Sequence, residues 1–363
     1  MSESPAESVA PNLFWDSVRY VIIATVAGCL IYFYGFYTPI VYAERECAGK
    51  TMGTSYIVKV AQFPETGDWQ KVADEIQARL DALDKMMSTY RSDSDVCRFN
   101  ASTSTEDWFS VSKETAQVVH AALEISQLSE GAFDITVAPL VRHWGFGAGG
   151  RPRLSGTFEE LQSEAARLKE HTGYEKLFVR LDPPALKKAI PELTIDLSAI
   201  AKGFAVDCVA ELLDSHKMTD YLIEVGGEVR GKGKKNKEKD WFVGIEKPTE
   251  HYSGNQQEFP LKDQSLATSG SYLQYREIGG RRVSHLIDPR TGLPAQAGNG
   301  VSEIVSAAVL APNCTQADAW ATVAFVLGEQ KGLELANQHK VAVLFLLQTG
   351  DGIREVSSGY WKK

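Results

Sequence analysis

Residues 194–207, from Thr194 to Asp207, read TIDLSAIAKGFAVD: a short apolar strand that turns straight into an amphipathic helix with Lys202 in its first turn. The first backbone N–H groups of a helix lack internal partners and the dipole is positive there, so such a turn forms an anion site once a lysine adds charge. Gly203 is expected to let a ligand approach the backbone, because a glycine inside a helix costs about 1 kcal/mol against alanine and needs a reason. Many strand-to-helix turns hold only water or a capping side chain, so the segment alone is a modest signal.

Outward from this turn, the periodicity predicts strands at 52–60, 176–181, 193–197, 221–225, 241–245, 265–268, 283–287 and 341–347. Helical spacing is expected over 69–90, 113–128, 153–172, 198–215, 315–327 and 331–338. Short antiparallel-type strands mixed with helices, without a βαβ rhythm, place the chain in the α+β class: mixed, mainly antiparallel sheets with packed helices. No G-x-G-x-x-G follows the first strand and no G-x-x-x-x-G-K-[ST] occurs, which argues against Rossmann and P-loop nucleotide sites. The lysine-rich run Lys232–Lys239 reads as a solvated hairpin loop.

Bulk properties narrow the partners. A formal charge of -9 over 363 residues argues against a nucleic-acid surface, which needs a basic face, so any phosphate must be held by local cations. Five scattered cysteines without C-x-x-C spacing indicate neither a zinc site nor a disulfide framework, and a Cys47–Cys97 pair is not required. Residues 20–42 carry no charged side chain and suit an uncleaved membrane anchor, with clustered tyrosines as an interfacial belt. A cleaved signal, or a lipoprotein signal ending at Cys29 in Val26–Cys29, are the rivals, both weakened because the apolar run continues past Cys29. The expected organisation is a tail at 1–19, the anchor at 20–42 and a soluble domain at 45–355.

Four constellations could carry chemistry. Besides the opening turn, Asp318 and Thr322 sit four apart on one helix face and offer oxygen donors of the kind magnesium prefers. Thr315-x-x-Asp318 also resembles a capping box, and judged locally capping is the better reading. In GAFDITVAPL (Gly131–Leu140), Asp134 is an aspartate among apolar neighbours and needs a partner; the following Trp144, Gly145, Phe146 and Gly147 could frame a flat heterocycle. His285, in SHLIDPRTG (Ser284–Gly292), is either a buried hydrogen-bonded residue or a catalytic base.

The order of the motifs is more specific than any one of them. GTSY (Gly53–Tyr56), MSTYRSDSD (Met87–Asp95) with Phe99 and Asn100, GAFDITVAPL, IDLSAIAKGFAVD (Ile195–Asp207), EVGGE (Glu224–Glu228), SHLIDPRTG and ADAWAT (Ala317–Thr322) follow one another along the chain. Over about residues 50 to 350 this resembles the FAD:protein FMN transferase family, also called ApbE. The resemblance implies a T-fold-like architecture and an enzyme that cleaves FAD with magnesium, attaches FMN to a threonine or serine hydroxyl of an acceptor flavoprotein and releases AMP. It implies metal ligation by the Ala199 carbonyl and the Asp318 and Thr322 side chains, with the Ala321 carbonyl nearby. Asp196 and Lys202 would face the nucleotide, Ala132, Phe133 and Asp134 its adenine end or ribose, and Met52, Tyr90 and Ile287 the FAD pocket. His285 is the expected base for the acceptor hydroxyl, with Asp318 as competitor.

The chain lacks an Asp-x-x-[Ser/Thr]-Gly-Ala-[Ser/Thr] acceptor sequence and is expected to act in trans, on a partner such as a membrane redox-pump subunit. A magnesium-dependent FAD pyrophosphatase using the same site with water, and a non-catalytic FAD-binding protein outside the cytoplasm, are the alternative functions. The family resemblance further implies anchoring to a bacterial inner membrane with the catalytic domain facing the periplasm or the cell exterior.

Overall fold

Elements in this computed structural model begin where polar caps meet apolar periodicity. The structure describes residues 42–147, 156–236, 238–247, 254–270, 275–278, 280–295 and 303–362, with residues 18, 21–26, 28 and 29 nearer the N-terminus. The first half of the chain runs β1 (Tyr42–Thr51), β2 (Thr54–Pro64), α1 (Trp69–Met87), α2 (Asp95–Ala101), β3 (Phe109–Ser110), α3 (Lys113–Leu128), α4 (Ala138–His143), α5 (Phe158–Leu168), β4 (Leu177–Leu181), β5 (Pro184–Lys188) and α6 (Ala201–Ser215). Then follow β6 (Tyr221–Val225), β7 (Glu228–Lys232), β8 (Trp241–Glu246), β9 (Asn255–Leu261), β10 (Gln264–Gly270), β11 (Tyr275–Ile278) and β12 (Arg281–Ser284). The chain closes with β13 (Ile287–Asp288), β14 (Leu293–Pro294), β15 (Glu303–Ala311), α7 (Cys314–Gln338), β16 (Ala342–Thr349) and β17 (Gly352–Ser357).

Helix α1 shows the local logic: the Asp68 side chain accepts from the Lys71 N–H, and Val72, Ile76, Leu80, Leu83 and Met87 form its buried stripe. It ends at the extended Ser88, short of the expected residue 90. Helix α5 starts on a full capping box between Thr157 and Glu160, five residues inside the expected 153–172; residues 153–155 lie outside the described residues. The helices expected over 315–327 and 331–338 are the two halves of α7, joined across Gly328, whose φ of 81° interrupts the helix.

Eight strands form one sheet in the order β1-β2-β6-β7-β10-β15-β16-β17. Pairing from β2 through to β17 is antiparallel, as in Val58 opposite Ile223 and Ala308 opposite Leu344. Both faces of its centre are covered. Val343, Phe345 and Leu347 of β16 pack into the large core with α1, α6 and α7, while Leu344 and Leu346 pack on the other side with Phe259, Leu261 and Trp361. This double burial explains why β16 reads as a continuous apolar run instead of alternating. A third cluster joins Leu140, Trp144, Phe158, Leu161, Val283 and Ile287, with the Trp144 indole donating to the Gly292 carbonyl at 2.8 Å.

Several expectations need correcting. Residues 193–197 form no ladder; the side-chain amide of Asn100 brackets Ile195, donating to its carbonyl at 2.9 Å and accepting its N–H at 2.8 Å. The expected strand at 283–287 divides into the end of β12 and the start of β13. Lys232–Lys239 does not join two strands paired over their length: β7 belongs to the large sheet and β8 pairs with β9, with one bridge at Lys234 and Asp240.

The chain divides into Met1–Ala43 with Pro64–Gly67, and Glu44–Phe63 with Asp68–Lys363. Within the first, residues 21–26, 28 and 29 are helical and exposed; the rest of the expected anchor up to residue 41 lies outside the described residues, and Tyr42 already belongs to β1. No helix among the described residues is long and apolar enough to cross a membrane. The second unit continues past the expected boundary at 355: Ser358 is buried, accepts from the Val343 N–H at 3.0 Å and donates to the Val341 carbonyl at 2.8 Å.

Candidate active site

The start of α6 is capped from a distance. Ile200 is its N-cap and offers no side-chain bond, so the N–H of Gly203 is one of the orphan donors of the first turn. It donates to Asp318 Oδ2 on α7, at 2.9 Å. A Cβ on residue 203 would stand 2.3 Å from the Cys314 carbonyl oxygen and 2.8 Å from the Asp318 Cβ. Gly203 therefore serves the contact between α6 and α7, and not the ligand approach expected from the sequence. Asp318 does not cap its own helix: Asn313 is the N-cap of α7 and accepts from the Gln316 N–H. The local capping reading of Asp318 is overturned.

Lys202 turns out to have a protein partner. Its Nζ donates to both carboxylate oxygens of the buried Glu228, at 2.7 Å each, and approaches the Gly226 carbonyl at 3.4 Å. Burial by itself lowers the Lys202 ammonium, but Glu228 and then Asp318 outweigh it and hold the pKa above the usual lysine value. The same burial pushes the Glu228 and Asp318 carboxyls up; the neighbouring Asp318 charge raises Glu228 further, while the Lys202 charge acts downward on both.

These groups stand on the wall of a cavity of about 1050 Å³, at the upper end of the roughly 300–1,000 Å³ typical of ligand pockets. Asp134, Asp196, Glu224, Glu228, Glu246 and Asp318 face it against Lys202 alone among lysines and arginines of the described residues. Asp196 Oδ1 accepts from the Ser198 N–H at 2.9 Å and from its hydroxyl at 2.6 Å. Asp134 accepts from the Thr136 N–H and hydroxyl, each at 2.7 Å, and from the Tyr174 N–H at 2.8 Å. Burial nevertheless raises its pKa to about 6. The His285 ring makes a T-shaped contact with Phe146 at 6.2 Å between centroids, and both line the cavity.

A family model described as the ApbE family matches residues 52–345. The chain belongs to the ApbE family. The FAD:protein FMN transferase of Vibrio cholerae is 42% identical over 315 residues, covering 87% of this chain and 91% of the relative. That of Haemophilus influenzae is 39% identical over 322 residues, covering 87% and 90%. Among solved structures, the flavin transferase ApbE of Vibrio cholerae superimposes with a TM-score of 0.77 at 39% identity, over 88% of this chain and 99% of that one. The apo flavinyl transferase ApbE of Pseudomonas stutzeri gives 0.78 at 33% identity, over 88% and 96%.

Most residues picked out by the ApbE resemblance meet at this one cavity. Tyr90, Ala132, Phe133, Asp134, Asp196, Ala199, Lys202, His285, Ile287, Asp318 and Thr322 all line it. Two do not. Met52 occupies a left-handed turn residue between β1 and β2, with φ 48°, and packs against the core instead. Ala321 is buried inside α7 and is not among the lining residues. Tyr90 stays largely exposed at the edge.

The donor set fits a hard divalent cation. Among the described residues, Asp318 gives one carboxylate oxygen to Gly203 and keeps the other without a hydrogen bond, and the Thr322 hydroxyl meets only the Ser269 hydroxyl, at 3.3 Å. The excess of carboxylates over cations among the described residues lining the cavity calls for added positive charge before a diphosphate can enter. No group of three His, Cys, Asp or Glu residues among those described is placed to hold a metal, which a set of one carboxylate, one hydroxyl and a carbonyl does not require.

The roles of Glu228 and Ser269 are not legible in the sequence. Glu228 was visible only as the last letter of EVGGE, because its importance lies in pairing with a lysine 26 residues earlier.

Proposed function

We infer that this chain is a flavin transferase that cleaves FAD, attaches the FMN half through a phosphoester bond to a threonine or serine hydroxyl of an acceptor flavoprotein, and releases AMP. Membership of the ApbE family and the names of its relatives support the reaction. The observation that carries the site is the buried Asp318 carboxylate, oriented by the Gly203 N–H on the cavity wall beside the Lys202–Glu228 pair.

In this reading Asp318, Thr322 and the Ala199 carbonyl hold magnesium, which neutralises charge on the diphosphate oxygens when bound. Asp196 and Lys202 orient the nucleotide, Ala132, Phe133 and Asp134 receive its adenosine end, and Tyr90 and Ile287 flank the ligand. The acceptor hydroxyl oxygen attacks the phosphorus of the FMN half, the bridging P–O bond breaks, and AMP departs with the bridging oxygen. His285 takes the hydroxyl proton, for it shares the cavity while Asp318 in this reading serves as a metal ligand. Glu228 keeps Lys202 charged and fixed, so its ammonium faces the substrate in one position.

Tethering at a bacterial inner membrane through residues 20–42, with the transferase unit on the periplasmic or external side, belongs to the same proposal. Its support is the uncharged apolar composition of that stretch. Incubating the full chain with FAD, Mg2+ and an acceptor flavoprotein, then denaturing the mixture, tests the reaction. A flavin-fluorescent acceptor band together with AMP is expected; FMN and AMP without labelling means hydrolysis, and intact FAD means simple binding. Loss of labelling in His285→Gln with FAD binding preserved is the expected signature of the base, and undiminished transfer removes it from that role.

A further inference from the structure

Asp207 closes the opening stretch of sequence, one helical turn after Gly203 and on the same face of α6. Its carboxylate takes four hydrogen bonds. Oδ1 accepts from the Cys314 N–H at 3.0 Å and from Arg230, and Oδ2 accepts from the Thr315 N–H at 2.9 Å and the Thr315 hydroxyl at 2.6 Å. Together with the Asn313 side chain, which takes the Gln316 N–H, this satisfies the orphan donors of the first three residues of α7. Two of those three N–H groups are met from another helix.

The contacts form two rungs of the same design. In the first, Lys202 and Gly203 of α6 meet Glu228 of β7 and Asp318 of α7. In the second, Asp207 of α6 meets Arg230 of β7, two residues on and so on the same face of the strand, and the first turn of α7. The first rung opens on the cavity, whereas Asp207 and Arg230 are not among its lining residues. A slip of one residue along α7 would shift Asp318 by about 1.5 Å and turn it by roughly 100°, enough to remove its carboxylate from the cavity.

We propose that Asp207 is a positioning residue for the cation site: with Arg230 it clamps the first turn of α7 to α6 and sets the register at which Asp318 and Thr322 reach the cavity. The proposal rests on the reading that Asp318 and Thr322 hold the metal.

The test titrates the full chain with Mn2+ alone, following the free-ion signal by electron paramagnetic resonance, for the wild type, Asp207→Asn, Thr315→Val and Asp318→Asn. Asp318→Asn is expected to abolish binding. Asp207→Asn is expected to weaken it about tenfold, the lower end of the effect of supporting residues around metal ligands. In turnover assays the loss then falls on the apparent KM for Mg2+ more than on kcat. A folded Asp207→Asn that binds Mn2+ like the wild type overturns the proposal, even if it melts earlier. Should that variant fail to fold, Thr315→Val decides: it removes one bond of the clamp, so weakened binding supports the proposal and unchanged binding overturns it. If Asp318→Asn binds normally, the metal reading itself falls and takes the proposal with it; if only Asp207→Asn and Thr315→Val bind normally, the metal reading stands and the clamp alone is lost.

Discussion

Gly203 is where a single atom separates two accounts of the same segment. On an exposed helix surface, replacing glycine by alanine gains about 1 kcal/mol. Here the added Cβ meets the Cys314 carbonyl and Asp318, so Gly203→Ala is expected to destabilise the protein by about 1–3 kcal/mol and to weaken FAD turnover. Denaturant unfolding checks the sign, and a stabilised variant would show that the helices can part at no cost. Asp134 carries a second residue-scale prediction. Its folded pKa, about 6, lies above the ordinary 3.8, so the native state binds the proton more tightly and this contribution to stability is complete below pH 3.8. It is lost as pH rises through about 6, a change of about 3 kcal/mol from this group. Unfolding curves between pH 4 and 7 are expected to show that fall in the wild type and a flatter profile in Asp134→Asn.

The extended segment before α6 shows how an element can be shaped without belonging to a helix or sheet. TIDL has the apolar alternation of a strand, yet its backbone groups are met by Asn100 at Ile195 and by the Ile135 carbonyl, which accepts the Asp196 N–H at 2.7 Å. The buried Lys188 ammonium adds bonds to the carbonyls of Phe99, Ser102 and Leu193 at 3.0, 2.9 and 2.7 Å. Lys188→Met keeps most of the volume but removes three hydrogen bonds, and of the three carbonyls that of Phe99 keeps the Ser102 N–H at 3.1 Å. It is expected to cost on the order of 3 kcal/mol and to weaken FAD affinity, since the segment delivers Asp196 to the cavity; equilibrium unfolding and flavin fluorescence titration measure both. Helices α1 and α3 were legible from their spacing because one face meets the core and the other meets water. Strands β5, β7 and β15 were not, for β7 is largely polar and β15, apolar on both covered faces and with three alanines, does not alternate.

For the molecule as a whole, the carboxyl-terminal tail is part of the fold. Trp361 packs its ring against Phe259 at 5.7 Å on the sheet face opposite the helices, and Ser358 ties the tail to β16. A chain ending at residue 355, the boundary expected from the motifs, is therefore predicted to lose on the order of 4 kcal/mol, read as an earlier unfolding midpoint. An unchanged midpoint would restore that boundary. Local pattern sufficed for the α+β class, for most helices and for the series of motifs that points to the ApbE family, because periodicity and caps act within a few residues. It could not reveal that Lys202 is paired with Glu228, that Gly203 is a packing glycine or that Asp318 serves α6 and not its own helix. Those facts depend on groups as far as 115 residues apart meeting in a buried place, where an unpaired charge or amide is costly and each polar atom must find its partner across the fold.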